Sequence, residues 1–112
     1  MNLTSTYRDG VNVITVNDSR IDAMVAIQFK DTMRSITETG PQDVLLDLSR
    51  VDFIDSSGLG AIVAALKQLG EGRQMRLAGL TGNVAKVFRL TRMDKVFEIV
   101  EGPADTSGRA AG

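Results

Sequence analysis

The sequence of 112 residues contains no cysteine, no histidine and no tryptophan, and its aromatic residues are four phenylalanines and one tyrosine. Without cysteine or histidine the chain has no disulfide, no thiol nucleophile, no imidazole acid–base catalyst and no conventional zinc site. This removes most of the chemistries of small enzymes, and we expect no catalytic residue, no metal ion and no cofactor. Any chemistry on this chain would depend on carboxylates, hydroxyls, lysines or a partner protein.

Long hydrophobic runs are also missing. No apolar stretch approaches the roughly 20 residues of a membrane-spanning helix, and the amino terminus lacks a basic start followed by an apolar segment. These absences predict a cytoplasmic protein without a membrane partner. The hydrophobic fraction of 43% is sufficient for the core of one soluble domain.

Charge is nearly balanced overall, at 13 basic against 14 acidic residues, but it is unevenly distributed. The first half, residues 1–56, is acidic and the second half is mildly basic. The basic residues are scattered and almost without aromatic neighbours, which is typical of a solvated surface rather than a nucleic-acid interface. We predict no direct contact with nucleic acid.

Hydrophobic periodicity predicts the order of the elements. Alternating residues around Asp9–Gly10 indicate a β-hairpin. From Asp22, which could cap a helix, apolar residues at helical spacing predict a helix that ends at Gly40–Pro41. The run 44–48 is almost continuously apolar, as expected of a strand buried on both faces. Residues 51–54 extend this stretch as a loop.

The remaining chain continues the alternation of strand and helix. A helix follows residues 55–58 and ends near Gly70, a strand surrounds Met75, and another helix starts at Asn83. Residues 96–100 form either an edge strand or a last helix. The order predicts an α/β fold with a mixed, mostly parallel sheet of about four to five strands and three to four helices.

We assign residues 1–102 to this domain. Residues 103–112 contain no large apolar side chain, and the sequence therefore predicts a disordered tail. The five methionines of the chain are interpreted as core residues that fill gaps.

The segment Asp55-Ser56-Ser57-Gly58 places two hydroxyls where a helix begins. Unpaired N–H groups and the positive end of the helix dipole would accommodate a phosphate on either serine. Gly58 and Gly60 are interpreted as leaving the hydroxyls open to a large partner. The tetrapeptide alone favours helix capping over a phosphorylation site, because Asp and Ser are common helix caps and four-residue strings often match by chance.

Three blocks extend the pattern beyond the tetrapeptide: Arg-Ile-Asp-Ala at 20–23, Val-Leu-Leu-Asp-Leu-Ser at 44–49, and Val-Asp-Phe-Ile-Asp-Ser-Ser-Gly-Leu-Gly at 51–60. Together with their spacing, these blocks resemble the STAS domain of bacterial anti-sigma factor antagonists. The resemblance covers residues 1 to about 102, and the block Asp-Ser-Ser-Gly-Leu-Gly is its specific part.

The resemblance implies a protein that switches between partners. In that family the unphosphorylated antagonist binds an anti-sigma factor, which is also a serine/threonine kinase, and thereby frees the sigma factor. The kinase phosphorylates the serine that directly follows the aspartate, here Ser56, with Ser57 as the second choice, and a metal-dependent phosphatase reverses the reaction. The expected partner-binding residues are Asp22, Asp55, Ser56, Ser57, Gly58, Leu59 and Gly60.

Several of these residues have a second interpretation. Asp55 could cap the helix, orient the Ser56 hydroxyl, or do both. Asp22 is more simply a helix cap and Leu59 a core residue, although the family places the Asp22 loop near the motif.

Other functions fit the sequence less well. A serine hydrolase would need a base near Ser56, and a phospho-aspartate receiver would need an acidic pair after an early strand, where only Asp18 follows. The serious alternative is a STAS scaffold in a stress-signalling complex, or a STAS subunit of a lipid transporter.

Overall fold

The computed structural model describes residues 1–100, so the predicted tail at 103–112 lies outside the described residues. The strands are β1 (Leu3–Arg8), β2 (Val11–Val16), β3 (Arg20–Ile21), β4 (Asp43–Asp47), β5 (Phe53–Ile54), β6 (Gln74–Ala78) and β7 (Glu98–Val100). The helices are α1 (Ala26–Thr37), α2 (Ser56–Leu69) and α3 (Gly82–Leu90), and a 3₁₀ helix spans Met93–Lys95. No helix within residues 1–100 is long and apolar enough to cross a membrane.

Five strands form one sheet in the order β1-β2-β4-β6-β7. β1 is antiparallel to β2, and every other neighbouring pair in this sheet is parallel. The hairpin turns at Asp9 (φ 53°) and Gly10 (φ 79°), whose left-handed conformations suit a two-residue turn. The predicted hairpin and the mixed, mostly parallel sheet are therefore confirmed.

The core lies between the helices and one face of this sheet. It includes Ile14 and Leu46 from the strands and Phe29, Ile62 and Phe88 from the three helices, all of them fully buried. A smaller buried cluster, Val11, Val13, Leu45 and Ala78, occupies the other side of the strands. The strand predicted at 44–48 is thus buried on both faces, as its continuous apolar sequence indicated.

The first helix begins later than predicted. α1 starts at Ala26 with Val25 at its N-cap, and no side chain caps it. Asp22 instead closes a turn, because its carboxylate accepts a hydrogen bond from the Met24 N–H (3.1 Å) and its carbonyl accepts one from the Val25 N–H (3.1 Å). The interpretation of Asp22 as the cap of α1 is wrong.

A second, two-stranded sheet was not predicted. β3 and β5 pair in parallel, with Arg20 opposite Phe53 and Ile21 opposite Ile54. Residues 53–54, interpreted as part of a loop, therefore form a short strand. β5 ends at Ile54, directly before the Asp55 N-cap of α2, so its pairing with β3 brings residues 20–21 next to the start of that helix.

The structure also defines α3 and the segment 96–100, which the sequence predicted as either an edge strand or a last helix. α3 starts at Gly82, one residue before the predicted start, and the Thr81 hydroxyl donates to the Val51 carbonyl oxygen (2.9 Å). Glu98–Val100 forms the edge strand β7 against β6, which confirms the first of the two interpretations of residues 96–100.

Candidate functional site

Asp55 organises the start of α2. Its backbone is extended at the N-cap, its Oδ1 accepts a hydrogen bond from the Gly58 N–H (2.8 Å), and its carbonyl accepts the first helical bond, from the Leu59 N–H (2.9 Å). This is the geometry of a helix N-cap, and the predicted capping role of Asp55 is confirmed.

The same carboxylate joins α2 to the turn before α1. Asp55 Oδ2 accepts a hydrogen bond from the Ala23 N–H (3.2 Å), and the Asp55 N–H donates to the Ile21 carbonyl oxygen (3.4 Å). Asp22, in that turn, also pairs with Arg20 at 3.3 Å between Oδ2 and Nε. The structure thus brings the Asp22 turn beside the serine motif, 32 residues further along the chain.

Ser56 and Ser57 are the first two residues of α2, and both are exposed. Their N–H groups precede the first intrahelical bond, so the helix itself offers these groups no acceptor. Successive residues are about 100° apart around an α-helix, which places Ser56 on the side of α2 away from Gly58. Gly60, one turn after Ser56, is exposed, and a Cβ atom added to it would meet no atom within 4 Å beyond its own helix backbone and chain neighbours.

Gly58 has a different role from the one inferred from the sequence. It is buried, and a Cβ atom on it would lie 2.0 Å from the Ile21 carbonyl oxygen. Glycine is required because α2 packs directly on the backbone of β3. The interpretation that Gly58 keeps the serine hydroxyls open is therefore wrong, whereas the exposure of Gly60 agrees with it.

Exposed apolar side chains lie in the turn that Asp55 holds and in the first turn of α1. Met24 is 87% exposed and Ile27 is 69% exposed, and we call these two residues the apolar patch. Met33 and Met75 are buried as predicted, but the prediction that all five methionines belong to the core is wrong for Met24. Its position before a helix start gave no periodicity that could separate it from core residues.

The other side chains around the motif are mixed in character. Phe53 is partly exposed, and the Arg20 guanidinium lies 4.1 Å from the centre of its ring. Asp52 is exposed, and Leu59 is half-buried against the core. Within residues 1–100 no cluster of three or more acidic side chains could hold a metal ion.

The fold and the site together define a small α/β domain with an exposed serine pair at a capped helix start and an apolar patch in the turn and helix that Asp55 links to it. The chain belongs to the STAS domain family, whose model matches residues 2–106. A relative from Staphylococcus aureus, named anti-sigma-B factor antagonist, is 22% identical over 103 residues, covering 91% of this chain and 94% of its own.

Solved structures share the fold of this chain. An anti-sigma factor antagonist from Mycobacterium paratuberculosis superposes with a TM-score of 0.83 at 24% identity, over 98% of this chain and 92% of its own. The Bacillus cell fate determinant SpoIIAA in its phosphorylated form superposes with a TM-score of 0.70 at 15% identity, over 99% and 100% of the two chains. The predicted STAS fold is confirmed.

Proposed function

We propose that this protein is an anti-sigma factor antagonist controlled by phosphorylation on Ser56. Its unphosphorylated form binds an anti-sigma factor that is also a serine/threonine kinase and so frees the sigma factor; a metal-dependent phosphatase reverses the modification. The protein itself has no catalytic role in this cycle. The observation that carries the proposal is the exposed serine pair at the start of α2, held beside the apolar patch by Asp55.

Ser56 is the proposed phosphoacceptor for two reasons. It directly follows the capping residue Asp55, and it lies on the side of α2 away from Gly58, which packs on β3. Gly60, its neighbour one turn later, carries no side chain that would hinder a kinase. Ser57 lies about 100° around the helix from Ser56 and remains the second choice.

A phosphate on Ser56 would leave the fold intact. An anion at a helix N-terminus stabilises an exposed helix by roughly 0.3–1 kcal/mol. The same group adds about −1.5 to −2 charges near neutral pH, close to Asp52 and Asp55. Burying this charge in a protein contact carries a large desolvation penalty, so partner affinity falls although the domain stays folded.

The apolar patch supplies the partner contact in this proposal. Exposed methionine and isoleucine side chains beside a modification site offer apolar area that an interface can bury. Asp55 bonds the turn of Met24 and also caps α2, and this link supports our proposal that the patch and Ser56 contact the same partner. A partner that covers the patch therefore covers the phosphorylation site as well.

The phosphorylation site can be tested by labelling. Incubation of the protein with the anti-sigma factor kinase of the same organism and Mg-ATP is expected to add one phosphate, which fragmentation by mass spectrometry locates on Ser56. Ser56→Ala should abolish the labelling, and the matched variant Ser57→Ala should retain it. These variants change neighbouring exposed hydroxyls and leave the Asp55 cap in place.

The opposite labelling pattern, lost in Ser57→Ala and kept in Ser56→Ala, would show that Ser57 is the acceptor. If the wild-type protein is not labelled and captures a transporter subunit or a complex without kinase activity, the proposal fails in favour of a STAS scaffold.

The apolar patch gives a second prediction. The double variant Met24→Ser/Ile27→Ser is expected to weaken binding of the kinase by about tenfold or more, because the few residues that dominate an interface each cost above about 1 kcal/mol when they are truncated. Titration calorimetry measures the affinity. The matched control is Leu90→Ser, which changes an equally exposed apolar residue at the far end of α3 and should bind like wild type. Equal loss in both variants would contradict a specific role of the patch.

A further inference from the structure

The outer edge of β1 is a long and unprotected sheet edge. β1 borders the five-stranded sheet, pairs only with β2 within residues 1–100, and has five of its six residues exposed. It contains no proline or lysine, its register with β2 has no bulge, and its one charged residue, Arg8, lies at its end. Proteins usually block such edges with charge, proline, a bulge or a covering segment. The opposite border, β7, has only three residues.

The free backbone groups of this edge follow from the hydrogen bonds between β1 and β2. The Asn17 N–H donates to the Asn2 carbonyl oxygen (2.9 Å), and these two residues face each other one position before Leu3 in the same register. Bonded and non-bonded pairs alternate in an antiparallel ladder, so the even-numbered residues of β1 bond to β2. The N–H and C=O groups of Leu3, Ser5 and Tyr7 therefore point away from the sheet.

We propose that two copies of this chain associate through β1, by antiparallel pairing about a two-fold axis that passes through the sheet at Ser5. In this register Ser5 faces Ser5 of the second copy, and Leu3 of each copy faces Tyr7 of the other. All the outward N–H and C=O groups of these three residues are then paired between the copies. A register shifted by two residues would leave the groups at one end of each strand unpaired.

The side chains of β1 are self-complementary in this register. Leu3 is half-buried against the core, and Tyr7, on the same face of the strand, is 59% exposed. Pairing would bring the Tyr7 ring of one copy beside Leu3 of the other, where it adds apolar contact area. On the other face of the sheet, Thr4 would face Thr6 of the second copy, which is a favourable cross-strand pair.

Symmetry and charge favour a second copy over an unrelated strand as the occupant of this edge. A two-fold contact uses the free edges of both copies and closes, so it does not continue into a filament. The net charge of −1 produces little repulsion between copies. Because an interface of one strand pair is small, we expect an equilibrium between monomer and dimer rather than a permanent dimer.

The proposed contact is separate from the serine site. α2, which begins at Ser56, connects β4 to β6, and β2 lies between β4 and β1 in the strand order. The association of two copies therefore does not rest on the proposed phosphorylation, and each copy would retain its own serine pair.

Cysteine cross-linking tests the register, because the chain contains no cysteine of its own. In the proposed dimer the two residues at position 5 form a hydrogen-bonded pair with Cα atoms about 5.5 Å apart, within the range of a disulfide. Ser5→Cys is therefore expected to form a disulfide-linked dimer under mild oxidation. The matched control is Thr4→Cys at the adjacent exposed position, whose Cα atoms would be more than about 7 Å apart, and it should remain monomeric.

Sedimentation equilibrium of the full chain measures the association without a cross-link. The apparent mass is expected to rise from 12.0 kDa toward that of a dimer as the protein concentration approaches the millimolar range. Ser5→Pro removes an N–H that points away from β2, so it should abolish this rise and leave the hairpin paired. Ser5→Ala keeps the N–H and should associate like wild type.

The two variants at Ser5 are matched in their side-chain effects. Both remove the hydrogen bond that the Ser5 hydroxyl donates to Asn12, so a difference between them reports the backbone N–H and the proline ring alone. Circular dichroism verifies that each variant remains folded, and the cross-linking experiment does not depend on the proline variant.

Several results would overturn the proposal. These are a constant mass of one chain at every concentration, equal association of Ser5→Pro and Ser5→Ala, or equal cross-linking of Ser5→Cys and Thr4→Cys. Association of the wild-type protein without cross-linking of Ser5→Cys would also overturn it, since the copies would then meet on another surface. Failure of the kinase titrations leaves these tests unaffected, because they are made without the kinase.

Discussion

Replacing Gly58 by alanine is expected to lower the free energy of unfolding by about 3 kcal/mol, the upper end of the usual range for overpacking. The added Cβ would lie 2.0 Å from the Ile21 carbonyl oxygen and 2.8 Å from its carbonyl carbon. Both are backbone atoms, so no side-chain rotation can relieve the contact. α2 would have to move away from β3, which would also disturb the bond between the Asp55 N–H and the Ile21 carbonyl.

Gly60→Ala is the matched control for this prediction. It introduces the same methyl group into the same turn of α2, but nothing lies within 4 Å of the added Cβ. Alanine is favoured over glycine within a helix by roughly 0.5–1 kcal/mol, so this variant should be slightly more stable than wild type. Urea denaturation followed by circular dichroism measures both. Similar stability of the two variants would contradict the direct packing of α2 on β3.

The elements that the sequence predicted correctly are those whose signals are local. The Asp9–Gly10 turn needs two left-handed residues, which this dipeptide favours, and the two short strands flanking it pair without any distant contact. The apolar positions of α2 repeat at helical spacing after a capping aspartate. Each of these patterns is complete within a few neighbouring residues.

The small sheet of β3 and β5 could not be predicted in this way. Each strand has two residues, which is too short to display an alternation, and their pairing joins Ile21 to Ile54 across the whole of α1 and β4. The hydrogen bond that the Ala23 N–H donates to Asp55 could not be predicted for the same reason, because the two residues are far apart in the sequence. As a result the sequence predicted a helix from Asp22, where the structure has a turn that is held by Asp55, a residue distant in sequence.

The sequence predicted the serine motif of the candidate site but not the apolar patch. The Asp55 cap was predicted because an aspartate directly before an apolar helix is a local pattern, whereas the two serines were predicted as modification sites only through the resemblance of three separate blocks to the STAS family. The apolar patch was not predicted, because the identity of a residue such as Met24 does not show whether its side chain is buried or exposed. Its exposure depends on where α1 begins, and that position is set by the turn that Asp22 and Asp55 stabilise.

The introduction of negative charge at Ser56 is expected to have the largest effect on partner binding. Ser56→Asp should weaken binding of the anti-sigma factor kinase by about 2 kcal/mol, roughly 30-fold. The carboxylate would be desolvated when a partner covers the apolar patch, and it would add to the charge of Asp52 and Asp55. Ser56→Ala should bind like wild type and should no longer be inactivated by the kinase with ATP.

A matched variant distinguishes the effect of a negative charge at residue 56 from the effect of a change in net charge. Ser35→Asp changes net charge by the same amount on an exposed site of α1, distant in sequence from the serine motif, and should bind the kinase like wild type. Circular dichroism is expected to show that Ser56→Asp and Ser35→Asp are both folded. Loss of structure in Ser56→Asp would contradict a local effect, since an anion is favourable at the start of α2.

The titrations should be made at low salt, where interactions between exposed charges are strongest. If Ser56→Asp binds as tightly as wild type under these conditions, two explanations remain, because one carboxylate carries less charge and fewer oxygens than a phosphate. Either Ser56 lies outside the interface or aspartate is a poor substitute for phosphoserine. Enzymatically phosphorylated protein distinguishes them: weak binding would preserve the switch and identify aspartate as the poor substitute, whereas tight binding would mean that the phosphate does not control the partner at all.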